Sequence, residues 1–403
     1  MTKSRSRRRK NEGNSPENEG SGHKRETAKS EMTKVILTGL VIILAMTNMI
    51  TYAVLTAKIE RLKQESSPAA VAAPETPSQL AEFRVVNAHD HLYMRKHLDK
   101  YLAAARKCGI VRTLFVASSD YTLKGSGNDP AKGNDWNTEE ILRAAKEFPT
   151  EIVPFCTIHP RDPEKLEKIR KYVAEGAKGL KLYTGHGNFY DRPLDAEEML
   201  PIYEYCEQTN LPICWHVNLV EYKDEFSRVM AKYPKLTVIV PHFGVTFYQP
   251  TGPHFIELQT LLDTYPNLYT DTSFGTRNIL VQGLEKVSQY PEIFRAFCIK
   301  YSDRIFFGTD MVVTGNKEKT TQWIEAVLRA CRDVLEKDRY SFYMAAAGSP
   351  YAAPQSNNVR GELRGLALPE EVLRKIYETN FEKLFPTQPT AESRDEEPEE
   401  SEE

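Results

Sequence analysis

The sequence lacks several patterns that mark common classes of enzyme and secreted protein. None of its six cysteines stands in a CxxC pair, so no disulfide framework is indicated, and most are expected to be small core residues. No Gly-x-Ser-x-Gly segment is present, which argues against a serine hydrolase. No Gly-x-Gly-x-x-Gly turn follows the first predicted strand, so the dinucleotide signature of an open doubly wound sheet is absent.

The central part of the chain has almost no excess of positive or negative charge. The 403 residues carry a net charge of −3, but the two ends differ strongly. Residues 1–34 hold ten Lys and Arg against five acids, whereas residues 387–403 hold one Arg against eight acids. The ends thus carry +5 and −7, which leaves −1 for the middle. A nucleic-acid-binding body would show a clustered basic excess, so no nucleic-acid partner is expected.

One run of 21 residues, at positions 35–55, has no charged side chain. As a helix it would span the hydrocarbon core of roughly 30 Å, so it is predicted to be a single transmembrane anchor. The small-residue cleavage site at 70–72 lies well beyond the run, which favours an anchor over a cleaved signal peptide. Because Lys and Arg are more numerous before the run, residues 1–34 are predicted to be a cytoplasmic tail and the rest extracytoplasmic.

The other segments differ sharply in composition. Residues 56–82 form a Pro/Ala-rich linker, and residues 387–403 form an acidic tail that is predicted to be disordered. Between them, residues 83–386 alternate short apolar runs with helical stretches, which indicates α/β architecture with a parallel sheet. We predict a (β/α)8 TIM barrel, with an open doubly wound sheet as the second choice. The predicted strands are 83–88, 112–117, 152–157, 179–183, 212–216, 237–240, 267–271 and 305–308.

Histidine and aspartate side chains stand at the carboxyl ends of four predicted strands. His89 and His91 end the first strand, His216 the fifth, His242 the sixth and Asp310 the eighth. Residues i and i+2 of a strand point to the same face, so both first-strand histidines can face the barrel interior while the residue between them faces away. Active sites of TIM barrels are built at this end of the strands. A single histidine there is usually a core residue, but the joint occurrence indicates a functional site.

With these motifs the chain resembles the amidohydrolase superfamily of metal-dependent hydrolases. It is most similar to the amidohydrolase-related branch, which also includes decarboxylases such as aminocarboxymuconate-semialdehyde decarboxylase. The resemblance covers about residues 83–386. It is carried by AHDH at 88–91, GAKGLKLY at 176–183, LPICWH at 211–216, VPHFG at 240–244, NLYTDTS at 267–273, FFGTD at 306–310 and IYETNFEKLF at 376–385.

The resemblance implies a metal centre and roles for individual residues. A single divalent metal, Zn or else Mn or Fe, would be bound by a set of four ligands, and a further histidine would assist catalysis or bind substrate. Lys181 is either a ligand of a second metal or a lysine that pairs with a carboxylate or lines the substrate pocket, and the second of these roles is preferred. The four ligands are His89, His91, His216 and Asp310, and the further histidine is His242.

These parts lead to a functional hypothesis with two alternatives. The first is a membrane-anchored hydrolase in which metal-activated water attacks a C–N or C–O bond next to a carbonyl. Asp310 would transfer the proton, and His242 would stabilise the oxyanion. The alternatives are a metal-dependent decarboxylase on the same barrel and a non-catalytic binding scaffold at the membrane. Cationic and aromatic residues in the strand–helix loops favour a small substrate that bears a carboxylate or is aromatic. The oligomeric state stays open.

Overall fold

The structure is a computed structural model that describes residues 83–125, 127–245, 252–275, 278–343 and 359–386. The predicted cytoplasmic tail, anchor, linker and acidic tail, at residues 1–34, 35–55, 56–82 and 387–403, lie outside these ranges. Within the described ranges, none of the helices has the length and apolar character needed to cross a membrane.

Parallel strands make up the main sheet of the described residues. They are β1 (Val85–Leu92), β2 (Ile110–Val116), β3 (Ile152–Thr157), β4 (Gly179–Gly185), β5 (Ile213–Val217), β6 (Val238–Val240), β7 (Leu268–Asp271), β8 (Ile305–Phe306) and β9 (Met311–Val313). Their order in the sheet is β8-β7-β6-β5-β4-β3-β2-β1-β9. A separate antiparallel pair consists of β10 (Arg339–Tyr343) and β11 (Val359–Arg364).

Helices connect the strands and cover the outer face of the sheet. They are α1 (Leu98–Lys107), α2 (Asp120–Lys124), α3 (Asn134–Glu147), α4 (Lys165–Ala174), α5 (Leu200–Gln208), α6 (Lys223–Lys232), α7 (Pro253–Thr264), α8 (Asn278–Gln289), α9 (Pro291–Lys300), α10 (Thr321–Glu336), α11 (Glu370–Arg374) and α12 (Asn380–Leu384). A π-helical turn at Lys375–Thr379 joins the last two. Each long helix buries its apolar stripe against the strands, as Trp323, Ile324 and Val327 of α10 do.

The eighth strand of the barrel is divided into β8 and β9, and this division closes the ring. β8 pairs with β7, whereas β9 pairs with β1 at the other edge of the sheet. Between them, the amide of Ala88 donates to the carbonyl of Phe307, and the amide of Asp310 donates to the carbonyl of His89, both at 2.7 Å. The sheet therefore continues from β7 to β1 and forms a TIM-barrel-like α/β fold.

The interior of the barrel has an apolar layer below the carboxyl ends of the strands. Every second residue of the strands contributes to it, and two aromatic rings from the C-terminal helical segment, Phe381 and Phe385, close it from below. The rings of Phe155 and Phe385 lie 5.7 Å apart. The strand residues of this layer are Val86, Ala88, Leu114, Val116, Val153, Phe155, Cys214, Ile239 and Phe306. The layer gives the functional end of the barrel a rigid base.

The predicted strands and the observed ones agree within three residues at most ends, and the alternation of strands with helices is as expected. Two features were not predicted from the sequence: the division of the eighth strand and the pair β10 and β11. The six cysteines are all buried, as expected for small core residues.

Gly179 of β4 offers a test of the barrel interior. A Cβ at this position would overlap the ring of Phe155, so Gly179→Ala should force the ring out of its place. We expect a loss of about 1–3 kcal/mol in the free energy of unfolding, measured by chemical denaturation of the full-length chain. Gly187→Ala is the control, since a Cβ there has no neighbour within 4 Å. Equal stability of the two variants would contradict this packing.

Candidate metal centre

A β-bulge in β1 decides which side chains enter the barrel. Asn87 pairs with Thr113 of β2, and Asp90 pairs with Phe115, so β1 has one more residue than β2 over this stretch. Val86 and Ala88 face the apolar interior before the bulge. After the bulge, the alternation of inward and outward side chains is shifted by one residue, so His89 and His91 face inward. Asn87 and Asp90 both lie on the outer side, where their side chains are hydrogen-bonded to each other at 2.7 Å.

His89 is held by Asp271, the last residue of β7. Its Nδ1 lies 2.8 Å from Asp271 Oδ2, and both side chains are fully buried. Burial, with the positive charge of Lys181, lowers the pKa of His89 to about 4, so the ring is neutral at physiological pH. Because the carboxylate of Asp271 only accepts, the one ring proton is on Nδ1, and the lone pair of Nε2 points into the barrel.

His91 is held in the same orientation by Ser118, which follows β2. Its Nδ1 lies 2.6 Å from Ser118 Oγ. That hydroxyl donates to the carbonyl of Val116 at 3.2 Å and accepts from the hydroxyl of Tyr183 at 3.0 Å. The serine proton is thus in use, so Nδ1 of His91 is the donor. Burial also lowers the pKa of His91, although Asp310 opposes the shift, so Nε2 again presents a lone pair.

Asp310 faces both of these lone pairs. Its Oδ1 lies 2.7 Å from Nε2 of His91 and 3.5 Å from Nε2 of His89. Three acceptors therefore converge, and a divalent cation is a group that all three could bind together. The ligand atoms of the three residues lie within 4.8 Å of one another. We call His89, His91 and Asp310 the candidate metal centre; its imidazole and carboxylate donors suit Zn, Mn or Fe.

His242 follows β6 in an unusual backbone conformation. Its φ is 62°, and Phe243 and Gly244 also have positive φ, so Pro241–Val245 forms a left-handed turn. The turn is held by Asp271, whose Oδ1 accepts from the amide of His242 at 2.9 Å. Nδ1 of His242 lies 2.7 Å from Ser273 Oγ, and Nε2 lies 3.8 Å from Asp310 Oδ2. The ring therefore faces the candidate metal centre with its Nε2 edge.

Lys181 and His216, which were also predicted to belong to the site, lie beside the candidate metal centre. Lys181 of β4 is buried, with Nζ 3.2 Å from Nε2 of His89 and 3.4 Å from Sγ of Cys214. The structure does not place His216 within the close group formed by the other three predicted ligands. Its ring lies 5.0 Å from that of His242 and 4.5 Å from that of His186, between the centre and the loop after β4.

Comparison with known proteins identifies the family of the chain. The family profile described as Amidohydrolase matches residues 86–387. The chain belongs to the amidohydrolase family. Members of its superfamily are generally enzymes and use divalent metals. A search of the curated proteins finds no match.

Several solved structures have a similar chain path. The 2,6-dihydroxybenzoate decarboxylase from Rhizobium is 13% identical, with a TM-score of 0.44 over 75% of this chain and 98% of that one. The 4-oxalomesaconate hydratase from Rhodopseudomonas palustris is 15% identical, with a TM-score of 0.44 over 75% and 95% of the two chains. The dihydroorotase from Campylobacter jejuni is 16% identical, with a TM-score of 0.42 over 76% and 84%.

Sequence reasoning did not assign a role to three residues that shape this site in the amidohydrolase fold. Asp271 ends a strand just as Asp310 does, so the criterion applied to Asp310 would have found it. Ser118 and Ser273 offer no such signal, because serine is common in loops. Their roles follow only from the distances to His91 and His242.

Asp271→Asn tests whether the buried carboxylate orients the amidohydrolase centre. Burial alone would raise the pKa of Asp271, but its contacts with His89 and His242 hold the pKa well below its usual value, so it is ionised. An amide cannot accept from both the ring of His89 and the amide of His242. We expect Zn affinity to fall by about 10- to 100-fold, measured by competition with a chelating dye.

The matched control for this variant is Asp263→Asn, which removes an exposed carboxylate that pairs with Lys300. It should bind Zn like the wild-type chain. If Asp271→Asn also keeps the wild-type affinity, the hydrogen bond from His89 does not orient the ring for metal binding.

Proposed function

We propose that this amidohydrolase is a metal-dependent hydrolase with one divalent ion, bound by His89, His91 and Asp310, with His216 as a further candidate ligand. The observation that supports the proposal is the convergence of two imidazole lone pairs on one carboxylate oxygen, each ring being fixed by a hydrogen bond at its far nitrogen. When bound, such an ion polarises a carbonyl group and lowers the pKa of water towards about 7.

Asp310 is the residue proposed to transfer the proton. Burial by itself raises the pKa of its carboxyl, but the surrounding rings of His89, His242 and His91 outweigh burial and hold the pKa well below its usual value. The carboxylate is therefore ionised and able to accept a proton. About 23% of its side chain is exposed, in contrast to the fully buried Asp271, so a substrate entering the barrel can reach it.

His242 is proposed to hold the substrate oxygen on which negative charge develops. Ser273 and Asp271 fix its ring and its backbone, so that no reorganisation is needed when the charge forms. Hydrolysis then requires that the oxygen bind between Nε2 of His242 and the candidate metal centre.

Lys181 favours a substrate that bears a carboxylate. Its side chain is 1% exposed, and no carboxylate pairs with it among the residues that the structure describes. A buried lysine without a carboxylate partner is unfavourable, and an anionic substrate would provide that partner. The same contact supports the second candidate function, a decarboxylase, because a carboxylate held by Lys181 beside the candidate metal centre could also be the group that is lost.

We further propose that residues 35–55 anchor the enzyme in a membrane, with residues 1–34 in the cytoplasm and the barrel on the opposite side. The proposal rests on the uncharged 21-residue run and on the distribution of Lys and Arg around it.

Metal analysis of the full-length chain tests the proposed chemistry. We expect about one divalent ion per chain, and we expect His89→Ala to lose most of it because one of the converging lone pairs is removed. His97→Ala is the control, since His97 stacks on Tyr93 at 6.1 Å and contacts none of the proposed ligands. Assays with carboxylate, lactone and amide substrates, reading acid formation and CO2 release separately, distinguish hydrolase from decarboxylase. A chain that binds no added Zn or Mn would instead favour a non-catalytic scaffold.

Deletion of residues 35–55 tests the anchor. The deleted chain should appear in the soluble fraction, whereas the full chain should stay with membranes after carbonate extraction. Deletion of residues 387–403 is the control and should not change the fractionation. Protease added to sealed vesicles should cut the barrel or the N-terminal tail, but not both, and the accessible side gives the orientation.

A further inference from the structure

A buried polar cluster lies behind β1, on the side that faces the helices. At its centre is Asp90, which stands between His89 and His91 in the sequence and has no exposed surface. Its side chain points away from the barrel interior, so it can bind neither metal nor substrate. A buried carboxylate is unfavourable unless hydrogen bonds compensate for the lost water, so the partners of Asp90 indicate what it does.

The partners of Asp90 lie directly on either side of Asp310. Oδ1 of Asp90 accepts a hydrogen bond from the amide of Met311 at 2.7 Å and another from the hydroxyl of Thr309 at 2.5 Å. Oδ2 accepts from Nδ2 of Asn87 at 2.7 Å. Asn87 also donates to the hydroxyl of Thr309 at 3.2 Å. Both neighbours of Asp310 are therefore fastened to the same carboxylate.

Asp310 itself has a strained backbone. Its φ is 55°, in the left-handed region that residues other than glycine rarely adopt. This conformation lets Thr309 and Met311 contact Asp90 on the outer side while the carboxylate of Asp310 reaches His91 on the inner side. A strained conformation persists only where the surrounding contacts determine it. Here the amide of Asp310 is bonded to the carbonyl of His89, and Asp90 binds the residues on both sides of Asp310.

We propose that Asp90 is a positioning residue, which holds residues 309–311 so that the carboxylate of Asp310 faces the two histidines. The inference rests on the proposed metal centre. In β1 the two inward residues then supply imidazoles, and the outward residue between them sets the position of the third ligand. The three residues of β1 that follow the bulge thus supply two ligands of the candidate metal centre and position the third.

Asp90→Asn is the direct test, because it keeps the size of the side chain and removes one of its acceptors. Its amide nitrogen must face either Asn87 or the amide of Met311, both of which are donors. In the full-length chain we expect Zn affinity to fall by about 10- to 100-fold. We also expect the visible spectrum of the Co-loaded chain to change, since it reports on the arrangement of ligands and not on stability.

Thr309 provides a second pair of variants in case Asp90→Asn does not fold. Thr309→Val has the same shape without the hydroxyl and should show the same loss of affinity and the same spectral change. Thr309→Ser restores the donor to Asp90 and should restore both readouts.

Asn380→Ala is the structural control. Asn380 is fully buried and donates to the carbonyls of Ser302 and Ile305, at the other end of the eighth strand. Its loss should lower the melting temperature but leave Zn affinity and the Co spectrum unchanged. Wild-type affinity and spectrum in both Asp90→Asn and Thr309→Val would overturn the inference while leaving the metal centre intact. A wild-type chain that binds no metal would overturn the proposed function and, with it, this inference.

Discussion

The β-bulge between Asn87 and Asp90 is the constraint on which the functional end of this barrel depends. A regular strand that buried Val86 and Ala88 inside the barrel would place His89 and His91 on the outside, against the helices. The extra residue shifts the alternation of inward and outward side chains once, so that one strand contributes first to the apolar base and then to the candidate metal centre. It also leaves Asn87 and Asp90 together on the outer face, where they contact the neighbours of Asp310.

Asp271 connects the parts of the site that lie on different strands. Its two oxygens bond to the ring of His89, the amide of His242 and the amide of Ser273, so three elements share one buried carboxylate. Asp271 and Asp310 differ in surroundings and therefore in role: one is fully buried and orients the histidines, and the other is partly exposed and faces the interior. Positive φ at His242 and Asp310 places backbone strain at the same end of the barrel.

A series of ring contacts connects the candidate metal centre with the loop after β4. The rings of His242, His216, His186 and Phe189 lie 4.5 to 5.1 Å apart in succession, from the centre to the loop after β4. At the inner end of this series, Nζ of Lys181 lies 3.2 Å from Nε2 of His89. A substrate with an anionic end could thus place that end near Lys181 while the rest of it contacts the aromatic rings.

The sequence by itself determined the α/β class, the positions of the eight strand segments, and the group of His and Asp at their ends. Buried strands appear in the sequence as short apolar runs, and polar residues at the end of such a run are easily recognised. The sequence could not show the bulge in β1, the division of the eighth strand or the positive φ of Asp310, since these depend on tertiary pairing. The bulge depends on pairing with β2, and the other two depend on contacts between β1 and residues more than 200 positions away. For the same reason the outward Asp90 had no visible role in the sequence. His216, one residue before the end of β5, could not be distinguished by sequence from the three residues that the fold brings into one group. Only closure of the barrel, in which β9 pairs with β1, decided which of the predicted site residues come together.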